Sequence, residues 1–198
     1  MTEILLFVIA PYLLGGIPFG LLISRWFCRI DIRSRGSGNI GAANVLRNLG
    51  KGAALLTLFL DILKGVFSVL LPILLAGGEP GWCGTAALAA VIGHIFPVYL
   101  KFKGGKGVAV TIGAFLLCVP WAMLSSLVCF MIVALPTRIV SLGSIAAALT
   151  LPLFTLIFSQ YNPFFPFATI SSILIIFRHS SNIKNLISGV EPRIGEKN

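Results

Sequence analysis

Two glycine-rich stretches carry side chains suited to holding anions. The first runs Arg35-Gly36-Ser37-Gly38-Asn39-Ile40-Gly41-Ala42-Ala43-Asn44-Val45-Leu46-Arg47. Closely spaced glycines such as Gly38 and Gly41 let backbone N–H groups converge on an anion. Ser37, Asn39, Asn44 and Arg47 are the side chains of this stretch assigned to the same substrate-binding set. The G-x-G-x-x-G spacing with a downstream acid, Asp61, imitates a dinucleotide fingerprint. That fingerprint needs the acid at the end of a strand in a βαβ unit, and Asp61 falls midway along an apolar run. Phosphate binding is the reading that survives.

The second stretch runs from Gly93 and His94 to Lys101, Lys103, Gly104, Gly105, Lys106 and Gly107. No Ser or Thr follows Lys106, and Leu100 stands where the first glycine of a Walker loop belongs. Membrane anchoring would account for the lysines but not for the glycines packed around Lys106, so a second anion cradle is expected. Three smaller constellations complete the set. Asp61 and Lys64 share one helix face. Ser141 and Ser144 follow Arg138 one turn apart. His179 and Asn182 share a face beside Arg178 and Lys184 if the helix continues. No ordinary metal-ligand spacing occurs and none of Cys28, Cys83, Cys118 and Cys129 forms a CxxC, so no metal site is expected.

The elements that must position these groups are membrane helices. Only 11% of the 198 residues are charged and 57% are hydrophobic, against about 25% charged in an ordinary soluble domain. The mean hydropathy is +1.00. Apolar runs cover 4–24, 53–76, 81–100, 108–135, 139–158 and 163–177, and roughly 20 apolar residues cross a bilayer as a helix. The first run lacks a basic n-region and an A-x-A site, which favours a retained helix over a cleaved signal peptide. The net charge of +9 is concentrated in the breaks at 25–52 and 101–107, at Arg138, and in the tail from Arg178 to Lys197. Nucleic-acid binding is therefore disfavoured. By the positive-inside rule those breaks face the cytoplasm, with the N-terminus outside and the C-terminus inside. The run 108–135 must then cross an even number of times, and Pro120 is its turning point. The expectation is one all-α membrane domain over 1–198, with about seven transmembrane or half-membrane helices and five or six as alternatives.

The runs GSGNIGAANVLR, DILKG, GHIFPVYLKFKGGKGVAV and HSSNIKNLISGVE resemble the bacterial acyl-phosphate:glycerol-3-phosphate acyltransferase (PlsY) family over nearly the whole chain. Ala43 departs from a usual threonine, and Ser180 from a common arginine. The resemblance implies a seven-helix enzyme of the bacterial inner membrane with its site toward the cytoplasm and no cofactor. Its substrates would be glycerol 3-phosphate and acyl phosphate, its products lysophosphatidate and phosphate, its surroundings membrane lipid, with no obligate protein partner. By resemblance Ser37, Asn39, Arg47 and Lys106 would bind phosphate, and Ser144, His179 and Asn182 would orient the glycerol. His94, Asp61, Lys64 and Lys101 would shape the pocket. The base would be His179 or the donor's own phosphate. His94 and His179 are followed five positions on by Tyr99 and Lys184, so the H-x4-D mark of the other glycerol-phosphate acyltransferase class is absent. The rival reading from residues alone is a small anion transporter or channel with a basic vestibule.

Overall fold

The computed structural model describes residues 1–158 and 162–195, which are helical with no strand among them. The break expected at 159–162 falls largely outside them, as does Lys197 of the basic tail. Helix α1 covers residues 2–16, with a π-helical turn at Leu5–Ile9. The chain bends at Ile17 and Pro18 and continues as α2 (Phe19–Cys28). There follow α3 (Ala42–Leu49), α4 (Lys51–Leu75), α5 (Pro80–Ile95), α6 (Val108–Cys118) and α7 (Pro120–Thr137). The last three are α8 (Val140–Phe158), α9 (Phe165–Arg178) and α10 (Ser180–Ile187).

Local chemistry sets several boundaries. Glu79 caps α5 by accepting the N–H groups of Gly81 and Trp82, and Pro80 occupies the first turn, where no N–H is required. The apolar run 108–135 divides at Val119, whose φ of −142° and ψ of 67° are not helical. Pro120 opens the next helix, because a proline ring inside a continuous helix would clash with the preceding turn. Among the described residues, five helical stretches are long and apolar enough to cross a membrane: Thr2–Cys28, Lys51–Leu75, Pro80–Leu100, Pro120–Thr137 and Val140–Phe158. Val108–Cys118 and Phe165–Arg178 are shorter and apolar.

Helices meet through glycine. A Cβ on Gly15 would overlap the Ala90 carbonyl and one on Gly93 the Tyr12 carbonyl, which brings α1 against α5. Likewise a Cβ on Gly65 would overlap the Val110 carbonyl, and one on Gly113 the Ile62 carbonyl, where α4 crosses α6. Lipid offers no hydrophobic drive between helices, so this close backbone approach and its dispersion contacts hold the bundle. One core gathers Val69, Cys83, Ala87, Phe115, Met123, Leu151 and Ala168. A second, of Leu21, Ile32, Ile40, Val45 and Ala54, underlies the loop before α3. Outward positions are apolar, among them Leu55, Phe59, Leu74, Ile132, Leu153 and Ile173. Asp61, Lys64 and His94 are buried. That arrangement fits a lipid solvent and would aggregate in water.

Candidate active site

The loop before α3 is built around one amide. Asn44, buried on α3, donates through Nδ2 to the carbonyls of Ile32, Arg35 and Asn39 at 3.2, 3.1 and 2.8 Å. Its Oδ1 accepts the Ser37 N–H at 3.0 Å. Gly38 N–H goes to the Arg35 carbonyl and Gly41 N–H to Asn39 Oδ1. The backbone donors expected to converge on an anion at Ser37, Gly38 and Gly41 are thus spent inside the loop. The loop presents Ser37, Asn39, Arg47 and the start of α3 instead, where a helix's first N–H groups lack intrahelical partners.

The second glycine stretch behaves alike. Gly104 and Gly105 donate their N–H groups to the Ile95 and His94 carbonyls at 3.1 and 3.0 Å. Their own carbonyls accept from Arg178 Nη2 and Nε at 3.0 and 3.2 Å. A Cβ on Gly104 would overlap the His94 carbonyl, and one on Gly105 the His94 ring. These glycines let the loop lie flat on the end of α5, and that placement aims Lys106. Lys106 donates to Asn182 Oδ1. Burial pushes its ammonium down from 10.5 to about 8, with Arg47 and Arg178 adding repulsion and Glu191 opposing them. Lys101 and Lys103 are exposed.

The opposite wall comes from α8, α9 and the tail. Ser141 and Ser144 are buried on α8, and the Ser144 hydroxyl donates to the Val140 carbonyl at 2.9 Å. His179 stands at the junction of α9 and α10 with Nδ1 2.8 Å from the Ile175 carbonyl. A carbonyl only accepts, so Nδ1 carries the hydrogen and Nε2 keeps its lone pair. Burial, with the Lys106 charge second, pushes this imidazole down from 6.5 to about 4. Inside the bundle, Lys64 Nζ lies 2.7 Å from Asp61 Oδ1, 2.7 Å from the Ile17 carbonyl and 2.9 Å from His94 Nδ1.

These elements enclose one cavity of about 790 Å³. Ser37, Asn39, Arg47, Lys106, Ser141, Ser144, His179 and Asn182 all border it, with Gly41, Asn44, Asp61 and His94. Gly38, Lys101, Lys103, Gly104 and Gly105 do not. The rest of the wall is apolar: Leu55, Leu58, Ile62, Leu127, Phe130, Met131 and Leu151. Arg47 and Lys106, distant in sequence, thus share a space that is cationic in one part and oily in another.

A family model described as glycerol-3-phosphate acyltransferase matches residues 5–189. The chain belongs to that family. It is 46% identical over its whole length to a glycerol-3-phosphate acyltransferase of Synechococcus sp. (strain CC9902), covering 98% of that protein. It is 45% identical to that of Syntrophotalea carbinolica, with 98% of each chain covered. A crystal structure of PlsY (YgiH), an integral membrane glycerol 3-phosphate acyltransferase in its glycerol 3-phosphate form, superposes with a TM-score of 0.91. That match has 38% identity and covers 98% of this chain and 96% of the other. The lysophosphatidic acid form superposes with a TM-score of 0.89. Membership of an integral membrane acyltransferase family displaces the transporter reading.

Sequence reasoning passed over Glu191, a buried carboxylate in the tail of this family member. Its Oε1 accepts from Ser141 Oγ and from Asn182 Nδ2, each at 2.6 Å, and Oε2 accepts from Asn185 at 3.2 Å. The adjacent Pro192 carbonyl accepts from Arg47 at 3.3 Å. An acid directly followed by proline in an otherwise mostly basic tail was the available signal. Thr111, also on the cavity wall, was likewise not singled out.

Proposed function

We propose that the chain transfers an acyl group from acyl phosphate to the 1-hydroxyl of glycerol 3-phosphate in phospholipid synthesis. The observation that carries this is the single cavity whose basic part, at Arg47 and Lys106, is continuous with an apolar part. An acyl phosphate has that shape: a compact anion joined to a hydrocarbon chain. A second phosphate, on the acceptor, would be repelled by the first, and two cations offset that repulsion.

The hydroxyl oxygen of the acceptor attacks the acyl carbonyl carbon. A C–O bond forms and the carbonyl π pair moves onto its oxygen. Collapse of this intermediate breaks the bond to the phosphate oxygen, and phosphate departs with that electron pair. His179 Nε2 takes the hydroxyl proton and passes it to the phosphate, the stronger base, whose second pKa is about 6 by analogy with phosphoserine. Ser144 and Asn182 orient the acceptor, and Ser37, Asn39, Arg47 and Lys106 hold phosphate. The donor is already activated, so positioning and charge supply the catalysis without a covalent enzyme intermediate.

The arrangement also supports seven membrane passages or half-passages with the N-terminus outside and the site toward the cytoplasm of the inner membrane. In that topology α6 and α7 form the returning pair around Val119.

Purified protein in lipid is offered radiolabelled glycerol 3-phosphate with acyl phosphate, acyl-CoA or acyl carrier protein as alternative donors. Lysophosphatidate is expected with acyl phosphate. Product with acyl-CoA alone would overturn the donor assignment. For the base, the acid limb of kcat/KM that belongs to free His179 is expected near pH 4, below any limb at about 6 from the substrate phosphate, which both enzymes would share. His179→Gln is expected to lose that limb and about 10²–10⁴-fold in rate. A limb near pH 4 identical in both enzymes would assign the base to the substrate.

A further inference from the structure

Thr111 is an anomaly among the helical threonines. Thr57, Thr85, Thr150, Thr155 and Thr169 each donate their hydroxyl to the carbonyl four residues back, at 2.7–3.0 Å. Thr111 is only 3% exposed, yet its Oγ1 has no hydrogen-bond partner among the described residues. The carbonyl it would use, that of Gly107, accepts the Thr111 backbone N–H at 2.9 Å. A buried hydroxyl without a partner is costly; Ser171 and Ser172 share that state on α9, but of the three only Thr111 borders the cavity. Thr111 borders the cavity one helical turn beyond Gly107, and so just past Lys106 on the way to apolar Ile112.

His94 borders the same cavity. Lys64 has three N–H donors, and the three atoms within reach are Asp61 Oδ1, the Ile17 carbonyl and His94 Nδ1. An ammonium only donates. His94 Nδ1 therefore accepts, and the ring hydrogen sits on Nε2, which lies against Gly105 beside Lys106. The buried ion pair, costly at mid-span, thereby fixes one tautomer of one imidazole.

In an acyl phosphate the carbonyl lies between the phosphoryl group and the hydrocarbon. In this cavity Thr111 and His94 border the same space as Lys106 and the apolar wall. We propose that the Thr111 hydroxyl and His94 Nε2–H receive the acyl carbonyl oxygen and stabilise the charge that develops on it, with Lys64 positioning His94. This rests on the acyl-transfer reading and assigns His94 to the carbonyl rather than to phosphate.

Loss of one such donor costs about 10²–10³-fold in kcat. Thr111→Val removes only the unpartnered hydroxyl, so its Tm is expected to equal or exceed that of the unaltered protein. Its kcat is expected to fall by about that factor with the KM for glycerol 3-phosphate unchanged, and Thr111→Ser to restore most of the rate. Independently of turnover, the carbonyl stretch of a bound acyl ketophosphonate is expected at lower frequency in the unaltered protein than in Thr111→Val. ¹⁵N NMR of His94 is expected to show a protonated Nε2 and a bare Nδ1. An unchanged kcat in Thr111→Val, an unshifted carbonyl band or the opposite His94 tautomer would each overturn the proposal. An unaltered enzyme that transfers no acyl group would overturn the underlying reading with it, whereas an active one whose Thr111→Val variant is equally fast sinks this assignment alone.

Discussion

Lys106 is the residue whose charge the site most depends on, and its titration near 8 makes that dependence measurable. Below about 8 the ammonium is charged and attracts phosphate; above it the site loses that charge. Substrate KM is therefore expected to rise as pH passes about 8. In Lys106→Arg, whose guanidinium keeps its charge throughout this range, this alkaline limb is expected to vanish whatever the absolute rate. Steady-state kinetics between pH 6 and about 10, where an unperturbed lysine would titrate, checks it. An alkaline limb shared by both enzymes would place the titrating group elsewhere. At this scale the sequence was partly legible. Charge and spacing were enough to pair Asp61 with Lys64, because isolated charges in an apolar run must find partners or ligands, whereas the shared task of Arg47 and Lys106 was legible only through the family resemblance. The glycines were less legible. Backbone N–H groups can face a ligand or the chain itself, and spacing does not distinguish the two. Gly38, Gly104 and Gly105 turn theirs inward.

At the scale of elements, the site is held where helices cross without side chains between them. Gly65 on α4 and Gly113 on α6 set the crossing that places Asp61 and Thr111 on one cavity wall. Gly113→Ala forces a methyl into the Ile62 carbonyl, and overpacking of this kind costs about 1–3 kcal/mol. A lowered Tm in detergent and a lower kcat are expected together, since separating α4 from α6 also moves the catalytic wall. Unchanged Tm and activity would mean that the crossing has room to spare. The division of 108–135 at Pro120 was readable because basic residues at both ends of the run required an even number of crossings. Proline alone was not enough, since Pro72, Pro136 and Pro152 lie inside unbroken helices. The role of Glu191 was not, because it arises from contacts with Ser141 and Asn182 across a fold that local patterning does not encode.

Across the whole molecule, charge and hydropathy act together. The basic segments around Arg33, Lys103 and Lys184 belong on one face if the positive-inside bias governs insertion. In an otherwise cysteine-free chain, Lys103→Cys is expected to react with a membrane-impermeant thiol reagent only from the cytoplasmic side. Pro80→Cys is expected to react only from the opposite side. Labelling of both from one side would overturn the topology.

The tail gives this enzyme a temporal property. The ribosome makes Arg47 and Lys106 early, and their helices can insert while translation continues. Glu191 and Pro192, which grip Ser141, Asn182 and Arg47, come after every membrane helix in the sequence. A chain cut before Glu191 would keep its membrane helices and lack the carboxylate that joins Ser141 to Asn182.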